Sequence, residues 1–345
     1  MRTTRLILLE GVPGSGKSTM GQFLAQALSA QGIPHRWWYE EEQAHPLYVF
    51  QDPASLQQVL DDLADGKYEL VIAAALAKWR ALAATIVSHD EIVLLDSCFL
   101  GYLTWTLFAF DVPSAEIQAY LGAVEQILQR LSPCPLYLYQ ADLAQALQII
   151  GERRGGQTRE RLIRNATQSP YGRRLGLQGF AGMVAYWAAY RQFADAACQA
   201  TGFATLAIET GTGDWPTYQQ QARAFLDVSP PGRVAMPSTD LQRYVGIYVQ
   251  RDAAGMIRSS VTVQVEDNRL VIDGLPQVWP RTGLTATAVN TFAIDSFPWS
   301  VVFAAGHTGA VEQMIVSGPD LLFGAAPGLL AKERSAPTAE ADEAN

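Results

Sequence analysis

The most chemically informative stretch of the sequence is GVPGSGKST, residues 11–19, which we call the glycine-rich loop. It contains the full pattern GxxxxGK[ST], in which Gly11 and Gly16 precede Lys17 and Ser18. Glycines permit a tight turn whose backbone N–H groups point inward at phosphate oxygens. The lysine ammonium reaches the β- and γ-phosphates of a nucleotide, and the following hydroxyl is a ligand for Mg²⁺. The predicted nucleotide-binding residues are Gly11, Gly14, Ser15, Gly16, Lys17, Ser18 and Thr19.

Hydrophobic patterning on both sides of this loop predicts a strand before it and a helix after it. Residues 5–10 form a mostly apolar run that ends at the glycines, as expected of a strand buried on both faces of a parallel sheet. Apolar residues then recur at helical spacing, at Met20, Phe23, Leu24, Ala27 and Leu28. Because strand, glycine-rich turn and helix are the context in which the pattern binds nucleotides, we predict that ATP or GTP binds here with Mg²⁺.

A second informative feature is IVLLD, residues 92–96, an apolar run that ends in a carboxylate. The carboxyl ends of parallel strands lie at one edge of their sheet, which places Asp96 beside the glycine-rich loop. A carboxylate there holds Mg²⁺ or orients the hydroxyl that receives the phosphoryl group. We therefore predict Asp96 as a catalytic residue and, together with Ser18, as a metal ligand. The alternative is that Asp96 is a helix N-cap.

The segment LLEGVPGSGKST, residues 8–19, resembles the opening of thymidylate kinase and of the related nucleoside and nucleotide kinases. The resemblance implies a magnesium-dependent kinase that transfers the γ-phosphoryl group of ATP to a hydroxyl or phosphate of a small molecule. Kinases of this group carry an Asp-Arg pair at the third strand end, where this sequence has Asp96, Ser97 and Cys98. We expect a nucleoside, a nucleotide or an antibiotic-like acceptor. The alternative function is a P-loop ATPase or nucleotide switch whose C-terminal domain binds a partner.

Three consecutive glutamates, Glu40, Glu41 and Glu42, follow the second strand-like run. In the nucleoside kinases that the sequence resembles, a glutamate at the end of the second strand contacts the acceptor hydroxyl as general base. Phosphoryl transfer uses such a carboxylate to position the attacking oxygen and to take its proton. Glu41 is the first candidate for this role and Glu40 is the second. The alternative is a solvated acidic turn.

An arginine-rich segment follows a predicted helix and contains two adjacent glycines, Gly155 and Gly156. Its arginines are Arg153, Arg154, Arg159, Arg161, Arg164, Arg173 and Arg174. A mobile segment of this kind that closes over ATP would neutralise charge in the transition state and exclude water. Nucleotide kinases carry such a lid after the fourth strand, and so we predict Arg153, Arg154 and Arg159 as catalytic residues. A nucleic-acid patch and a solvated helix face are the alternatives.

The domain organisation follows from a change in pattern near residue 228. Before it, strand-like runs alternate with helix-compatible stretches, which predicts a doubly wound parallel α/β sheet of the P-loop kinase type over residues 1–228. Residues 229–238, SPPGRVAMPS, have the composition of a linker. Short β-rich runs between turn residues then predict an antiparallel sheet or small barrel over residues 239–325. Residues 326–345 are predicted to be a disordered tail.

The predicted β domain is similar to the lipocalin-like domain appended to some serine β-lactamase-related proteins. The residues that carry this likeness are Leu241, Tyr244, Gly246, Tyr248, Asn268, Arg269, Leu270, Phe292, Val302, Phe303 and Gly309. The SxxK motif that the hydrolase reaction requires is absent from the sequence. We therefore expect an accessory role for this domain, either ligand binding or dimer formation, with structural packing as the alternative.

The overall composition limits the classes of partner. The chain of 345 residues has a net charge of -9, 49% hydrophobic residues and 17% charged residues. These values are typical of a globular protein, and the negative net charge argues against general binding to nucleic acids or anionic membranes. The apolar runs are interrupted before the length of a membrane span, and the cysteine spacing fits neither a disulfide framework nor a zinc site. We expect a cytoplasmic protein whose partners are a nucleotide and a small-molecule acceptor, and we leave homodimer formation open.

Overall fold

The fold combines a parallel sheet with helices and, after it, a closed antiparallel barrel, and the predicted fold class is confirmed. The computed structural model describes residues 4–231, 238–322 and 324–333.

The chain divides into two compact units. The first unit is Met1–Gly232 with Asp320–Leu322, and the second is Arg233–Pro319 with Phe323–Asn345. The division falls inside the predicted linker 229–238, of which residues 232–237 lie outside the described residues.

Among the described residues of the first unit, five parallel strands form a sheet in the order β2-β3-β1-β4-β5. Their bounds are β1 Leu6–Glu10, β2 His35–Trp38, β3 Ile92–Asp96, β4 Cys134–Tyr139 and β5 Leu206–Glu209. The central strands β1 and β3 are buried along their whole length, as expected of their apolar sequences. Leu9 of β1 pairs with Asp96 of β3, and so Asp96 lies level with the end of β1. The loops after these strands therefore meet at the carboxyl edge of the sheet, where parallel α/β folds bind ligands.

Helices connect the strands and enclose the core of this unit. Their bounds are α1 Lys17–Ala30, α2 Pro53–Ala64, α3 Tyr68–Ser88, α4 Tyr102–Ala109, α5 Ser114–Leu128, α6 Leu143–Arg154, α7 Gly156–Thr167, α8 Pro170–Arg174, α9 Gly179–Ala200 and α10 Trp215–Leu226. The helix α1 begins directly after Gly16, and Met20, Leu24 and Leu28 on one of its faces are buried. This face is the one that the helical spacing predicts.

Among the described residues, α3 is long and apolar enough to cross a membrane by length and composition, with a mean hydropathy of 1.7. Core helices of soluble proteins pass the same test. The buried side chains of α3 recur every three to four residues, at Val71, Ala75, Trp79, Leu82 and Ile86. They belong to the hydrophobic core of the first unit, where Trp79 Nε1 donates a hydrogen bond to the Tyr120 hydroxyl at 2.9 Å. This stripe gives α3 a structural role in the core.

In the part of the second unit that the structure describes, eight antiparallel strands close into a barrel in the order β10-β11-β12-β13-β6-β7-β8-β9. Their bounds are β6 Gly246–Arg251, β7 Ile257–Glu266, β8 Arg269–Asp273, β9 Thr282–Ala288, β10 Thr291–Ile294, β11 Ser300–Ala305, β12 Val311–Ser317 and β13 Gly328–Lys332. Buried aromatic rings pack together in this unit. The ring of Tyr244 lies 5.1 Å from that of Phe292 and 4.7 Å from that of Phe303, measured between centroids.

The barrel extends further along the chain than the sequence predicts. The predicted tail begins at residue 326, whereas Gly328–Lys332 form β13. This strand pairs with β12 on one side and with β6 on the other, and so it closes the barrel. A five-residue run carries a weak strand pattern by itself, and its partner β6 lies far away in the sequence. Residues 334–345 of the predicted tail lie outside the described residues.

Candidate functional site

The glycine-rich loop joins β1 to α1 through three glycines with positive φ angles. The angles are 145° at Gly11, 85° at Gly14 and 96° at Gly16. Residues with side chains rarely adopt such angles, and so glycine is needed for the tight turn. Inside the turn, the backbone N–H of Ser15 donates to the carbonyl of Val12 at 3.2 Å. The loop is therefore compact, as required of a turn whose N–H groups converge on a phosphate.

Lys17 lies at the first position of α1 and is 7% exposed. Its ammonium donates to the carbonyl of Val12 at 3.5 Å. A neutral carbonyl at this distance is a weak partner for a charged donor, and a phosphate oxygen would be a stronger one. The Lys17 charge also lowers the pKa values of two carboxylates that burial raises, those of Glu10 and Asp96. The ammonium is therefore placed to neutralise negative charge at the carboxyl edge of the sheet.

The segment after β5 packs on the glycine-rich loop. The Thr210 hydroxyl donates to the carbonyl of Ser15 at 2.9 Å. The indole of Trp215, at the start of α10, lies so close to Gly16 that a Cβ atom there would overlap it. The sequence offered no reason to select Thr210 or Trp215, because their position depends on the pairing of β5 with β4.

We expect Gly16→Ala to destabilise the protein more than the same change at a glycine in open space. The methyl group would overlap Trp215, and a φ of 96° is unfavourable for alanine. Gly32→Ala is the matched control, because Gly32 has a φ of 65° and no described neighbour within 4 Å of an added Cβ. Urea unfolding should give a loss of about 1 kcal/mol for Gly32→Ala and about 2 to 4 kcal/mol for Gly16→Ala. Equal losses would mean that the indole moves aside without strain.

Asp96 is fully buried at the end of β3. Among the described residues, neither of its carboxylate oxygens has a hydrogen-bond partner of normal geometry. Burial raises the pKa of Asp96 and the charge of Glu40 raises it further, whereas Lys17 and the nearby Ser18 hydroxyl lower it. A buried carboxylate is unfavourable unless a cation or a proton accompanies it. The two unpartnered oxygens are therefore the strongest indication of a ligand at this edge of the sheet.

The residues present fit a magnesium ion. Mg²⁺ is usually held by one or two protein oxygens together with substrate phosphates, and Ser18 and Asp96 are two such oxygen donors. Neither oxygen of Asp96 has a hydrogen-bond partner of normal geometry among the described residues, and the Ser18 hydroxyl lies near enough to lower its pKa. The described residues contain no group of three or more His, Cys, Asp or Glu side chains that could hold a metal ion. Mg²⁺ at this place would therefore depend on Ser18, Asp96 and the phosphates.

Glu42, the third glutamate after β2, has a structural role. It is 3% exposed and forms an ion pair with Arg36, whose guanidinium lies 4.1 Å from the centroid of the Trp38 ring. Its backbone forms an isolated antiparallel bridge with Leu321, in the segment Asp320–Leu322 that belongs to the first unit. These contacts hold the loop after β2 in place.

The other two glutamates, Glu40 and Glu41, lie closer to the chemistry. Burial raises the pKa of Glu41, and the charge of Glu40 raises it further. Glu40 has the larger influence on Asp96, because its charge is the main cause after burial of the raised pKa of Asp96. The sequence ranks Glu41 before Glu40, whereas the electrostatics of the site place Glu40 beside Asp96. A pair of carboxylates with different environments is suited to divide proton transfer and metal binding between them.

The predicted arginine lid, from Arg153 to Arg174, contains the break between α6 and α7 and then the helices α7 and α8. The helix α6 ends at Arg154, Gly155 has a φ of 87°, and α7 begins at Gly156. A Cβ atom at Gly14 would lie 2.8 Å from the Ile150 side chain of α6, and so α6 packs directly on the glycine-rich loop. The end of α6 therefore lies beside the predicted phosphate site.

The three predicted lid arginines have different surroundings. Burial lowers the pKa of Arg154, whereas the charges of Glu40, Tyr39 and Glu41 raise it. Arg153 is exposed, and the guanidinium of Arg159 lies 5.4 Å from the centroid of the Phe180 ring. Arg154 thus lies close enough to the loop of residues 40–42, which we call the acidic loop, for the charges of Glu40 and Glu41 to act on it. The charge of another arginine, Arg161, lowers the pKa of Glu41.

A buried histidine and cysteine connect the loops after β2 and β3. His45 Nδ1 accepts a hydrogen bond from the backbone N–H of Leu47 at 3.3 Å, and Nε2 lies 3.4 Å from the Sγ of Cys98. We assign the proton of the neutral ring to Nε2, since Nδ1 is an acceptor. Burial lowers the pKa of His45 to about 3 and raises that of the Cys98 thiol. Both groups are therefore neutral near pH 7.

We expect His45 to make the stability of the protein fall as the pH falls. Its folded-state pKa of about 3 lies below the ordinary value of 6.5, and so the unfolded chain binds more protons between these values. The free energy of unfolding should decrease through this window by up to about 1.4 kcal/mol per pH unit. His45→Asn is the matched variant, because it keeps an acceptor for Leu47 but does not titrate. Urea unfolding at about pH 7 and pH 5 should show a smaller decrease for the variant, and equal decreases would contradict the prediction.

Aromatic side chains lie beside the acidic loop. The Tyr48 ring stacks on Phe50 at 4.7 Å and contacts Tyr102 of α4 at 5.1 Å, measured between centroids. The Tyr102 hydroxyl accepts a hydrogen bond from the backbone N–H of Val49 at 3.0 Å. The loop after β2 and the start of α4 are therefore joined by both apolar and polar contacts.

A large cleft of about 1050 Å³ lies at the opposite, amino edge of the sheet. Its lining includes Thr4, Glu125, Cys134 and Gly202. The Glu125 carboxylate is occupied by the backbone N–H of Gly202, which donates to it at 2.6 Å. The Lys17 ammonium, the carboxylates of Glu10 and Asp96 and the glycine-rich loop all lie at the carboxyl edge instead. We therefore place the candidate site there.

Comparisons with known proteins add no family name. No protein-family model matches the chain, and a search of the curated proteins finds no match.

Glu10 is the most informative residue that the sequence analysis missed. It ends β1 as Asp96 ends β3, and so the same signal, an apolar run that ends in a carboxylate, could have identified it.

Proposed function

We propose that the first unit is a magnesium-dependent kinase that transfers the γ-phosphoryl group of ATP or GTP to a small molecule. The proposal rests on Asp96, whose buried carboxylate has no hydrogen-bond partner of normal geometry among the described residues and lies near Lys17 and Ser18. Burial makes the anionic form of Asp96 unfavourable unless a cation lies beside it, and the N–H groups of a glycine-rich loop favour phosphates. A nucleoside triphosphate with Mg²⁺ supplies both.

Each side chain has a distinct role in this proposal. Lys17 binds the β- and γ-phosphate oxygens and neutralises their charge. Ser18 and Asp96 would hold Mg²⁺, which would supply positive charge beside the phosphates. Glu40 or Glu41 accepts a hydrogen bond from the acceptor hydroxyl. That carboxylate takes the proton while the new oxygen–phosphorus bond forms and the bond to the leaving oxygen of ADP breaks.

The proposal also assigns a role to the end of α6. Ile150 packs on the glycine-rich loop, and the charges of Glu40 and Glu41 favour the cationic form of Arg154. An arginine in this place would bind phosphate oxygens as negative charge shifts to them in the transition state. The acceptor is proposed to be a nucleoside, a nucleotide or an antibiotic-like compound, and the enzyme is expected in the cytoplasm.

The decisive experiment is a phosphorylation assay with a panel of acceptors. The full chain is incubated with Mg²⁺ and γ-labelled ATP or GTP, together with nucleosides, nucleotides and antibiotics. Lys17→Ala serves as the inactive control, and EDTA removes the metal. We expect labelled product with at least one class of acceptor, and we expect label transfer to stop in EDTA.

The alternative P-loop ATPase or switch makes a different prediction in the same assay. Its release of ADP would proceed at the full rate without any acceptor, and the label would appear only in inorganic phosphate. That result, or the absence of nucleotide binding, would overturn the proposed kinase activity.

A further inference from the structure

Glu10, the last residue of β1, is a buried carboxylate to which the proposed reaction assigns no role. It is 0% exposed. Its Oε1 accepts hydrogen bonds from the backbone N–H groups of Cys98 at 3.2 Å and Phe99 at 2.8 Å. Its Oε2 accepts a hydrogen bond from the backbone N–H of Leu100 at 2.9 Å. Three successive N–H groups that converge on an anion form a nest, and here the anion is a side chain of the protein itself.

The loop of residues 97–101, which these hydrogen bonds hold, is conformationally demanding. Ser97 has a φ of 60°, and a Cβ atom at Gly101 would overlap the Ser97 carbonyl. The Thr104 hydroxyl donates to the carbonyl of Phe99 at 2.6 Å. Buried backbone N–H groups are unfavourable without an acceptor, and in this loop Glu10 supplies the acceptor for three of them.

This loop connects the main parts of the candidate site. Asp96 precedes it, and Tyr102 follows it at the start of α4. The Cys98 thiol contacts His45, and the Tyr102 hydroxyl accepts a hydrogen bond from Val49, both in the segment after β2. Glu10 itself is followed directly by Gly11. The Glu10 carboxylate thus joins the start of the glycine-rich loop to the loop of residues 97–101.

We propose that Glu10 is a positioning residue that holds the loop of residues 97–101 against β1, and thereby holds Asp96 in register with the glycine-rich loop. The inference rests on the proposed function, since Asp96 is the metal-binding carboxylate in that reaction. A displacement of about 1 Å in a reacting group reduces turnover by up to about 10²-fold.

The arrangement requires a carboxylate rather than a carboxamide. Both oxygens of Glu10 accept N–H groups, whereas glutamine would place an NH₂ donor against one of those N–H groups. Burial raises the pKa of Glu10 to about 7, and the three backbone hydrogen bonds together with Lys17 oppose that rise. The other titratable groups that interact with Glu10 are Asp96, Cys98, Tyr120, Tyr190 and Cys198. Glu10→Gln therefore tests the fit of the carboxylate with a minimal change in volume.

The matched control is Glu125→Gln. Glu125 also accepts a backbone N–H, that of Gly202 at 2.6 Å, but at the opposite edge of the sheet. Two measurements need no acceptor: deuterium exchange of the amides of residues 98–100, and the affinity for ADP without Mg²⁺. Turnover is measured with the panel compound that the unaltered protein phosphorylates fastest.

In Glu10→Gln we expect exchange of these three amides to accelerate at least tenfold and kcat to fall by about 10²-fold. The KM for ATP and the affinity for ADP should change by less than about threefold, because the glycine-rich loop is intact. Glu125→Gln should match the unaltered protein in every measurement. A parallel loss of ADP affinity, or an unchanged kcat, would overturn the positioning role.

Two further results keep the inference testable if Glu10→Gln fails to fold. Glu10→Asp keeps the charge but is one methylene shorter, and we expect its kcat to fall in the same direction. Rapid exchange of the amides of residues 98–100 in the unaltered protein would contradict the inference by itself. If the unaltered protein phosphorylates no compound, the proposed function fails, while the exchange measurement still decides whether Glu10 holds the loop.

Discussion

Asp96→Asn is expected to reduce turnover by about 10² to 10⁴-fold, because it removes the carboxylate that is proposed to hold the metal. The affinity for ATP without Mg²⁺ should stay nearly unchanged, since asparagine has almost the same shape. The variant should also unfold at an equal or higher urea concentration at about pH 8. The reason is that asparagine removes a buried charge whose oxygens have no hydrogen-bond partner of normal geometry among the described residues. Steady-state kinetics, calorimetric titration and urea unfolding measure the three effects.

Asp111→Asn is a suitable control for Asp96→Asn. The Asp111 carboxylate pairs with the exposed Arg174, and exposed ion pairs contribute about 0 to 1 kcal/mol. Its turnover should equal that of the unaltered protein. Turnover of Asp96→Asn within about threefold of the unaltered protein would remove Asp96 from the site and transfer its role to Glu40 or Glu41.

Lys17→Ala is expected to weaken nucleotide binding as well as turnover. The ammonium would contact phosphate oxygens both in the bound nucleotide and in the transition state, and a hydrogen bond to a charged group contributes about 1.5 to 3 kcal/mol. The affinity for ATP should therefore fall by about 10- to 100-fold, and kcat/KM should fall by more. The Kd for ATP from calorimetric titration, compared with kcat/KM, separates the two effects.

Lys67→Ala is the control for Lys17→Ala, because Lys67 is exposed and pairs with Asp65. It should leave both the nucleotide affinity and kcat/KM unchanged. If Lys17→Ala bound ATP as tightly as the unaltered protein, the glycine-rich loop would not be the phosphate site. That result would contradict the proposed kinase function.

The glycine-rich loop could be predicted from the sequence because its conformation is local. Gly11, Gly14 and Gly16 all have positive φ angles, which other residues rarely adopt. The position of Asp96 was also predictable, since an apolar run that ends in a carboxylate places the carboxylate at the edge of a parallel sheet. The structure pairs Leu9 with Asp96, in agreement with that expectation.

The surroundings of the candidate residues could not be predicted, because burial depends on segments that are distant in the chain. Glu40, Glu41 and Glu42 are identical in type, and only packing against Arg36 makes Glu42 structural. The candidate arginines also differ in their surroundings: the charges of Glu40 and Glu41 act on Arg154, whereas the guanidinium of Arg159 lies near the Phe180 ring. These assignments depend on where the end of α6 lies relative to the loop after β2.

By itself, the sequence determined the order of the parallel and antiparallel parts, the form of the glycine-rich loop and the position of Asp96. Each of these follows from backbone geometry within a few residues or from the period of the apolar side chains. Only the tertiary structure decided that Glu10 accepts three N–H groups from residues 98–100 and that β13 closes the barrel by pairing with β6. Both contacts join segments about 80 to 90 residues apart, and the chain forms them because burial leaves N–H groups and strand edges without water as a partner.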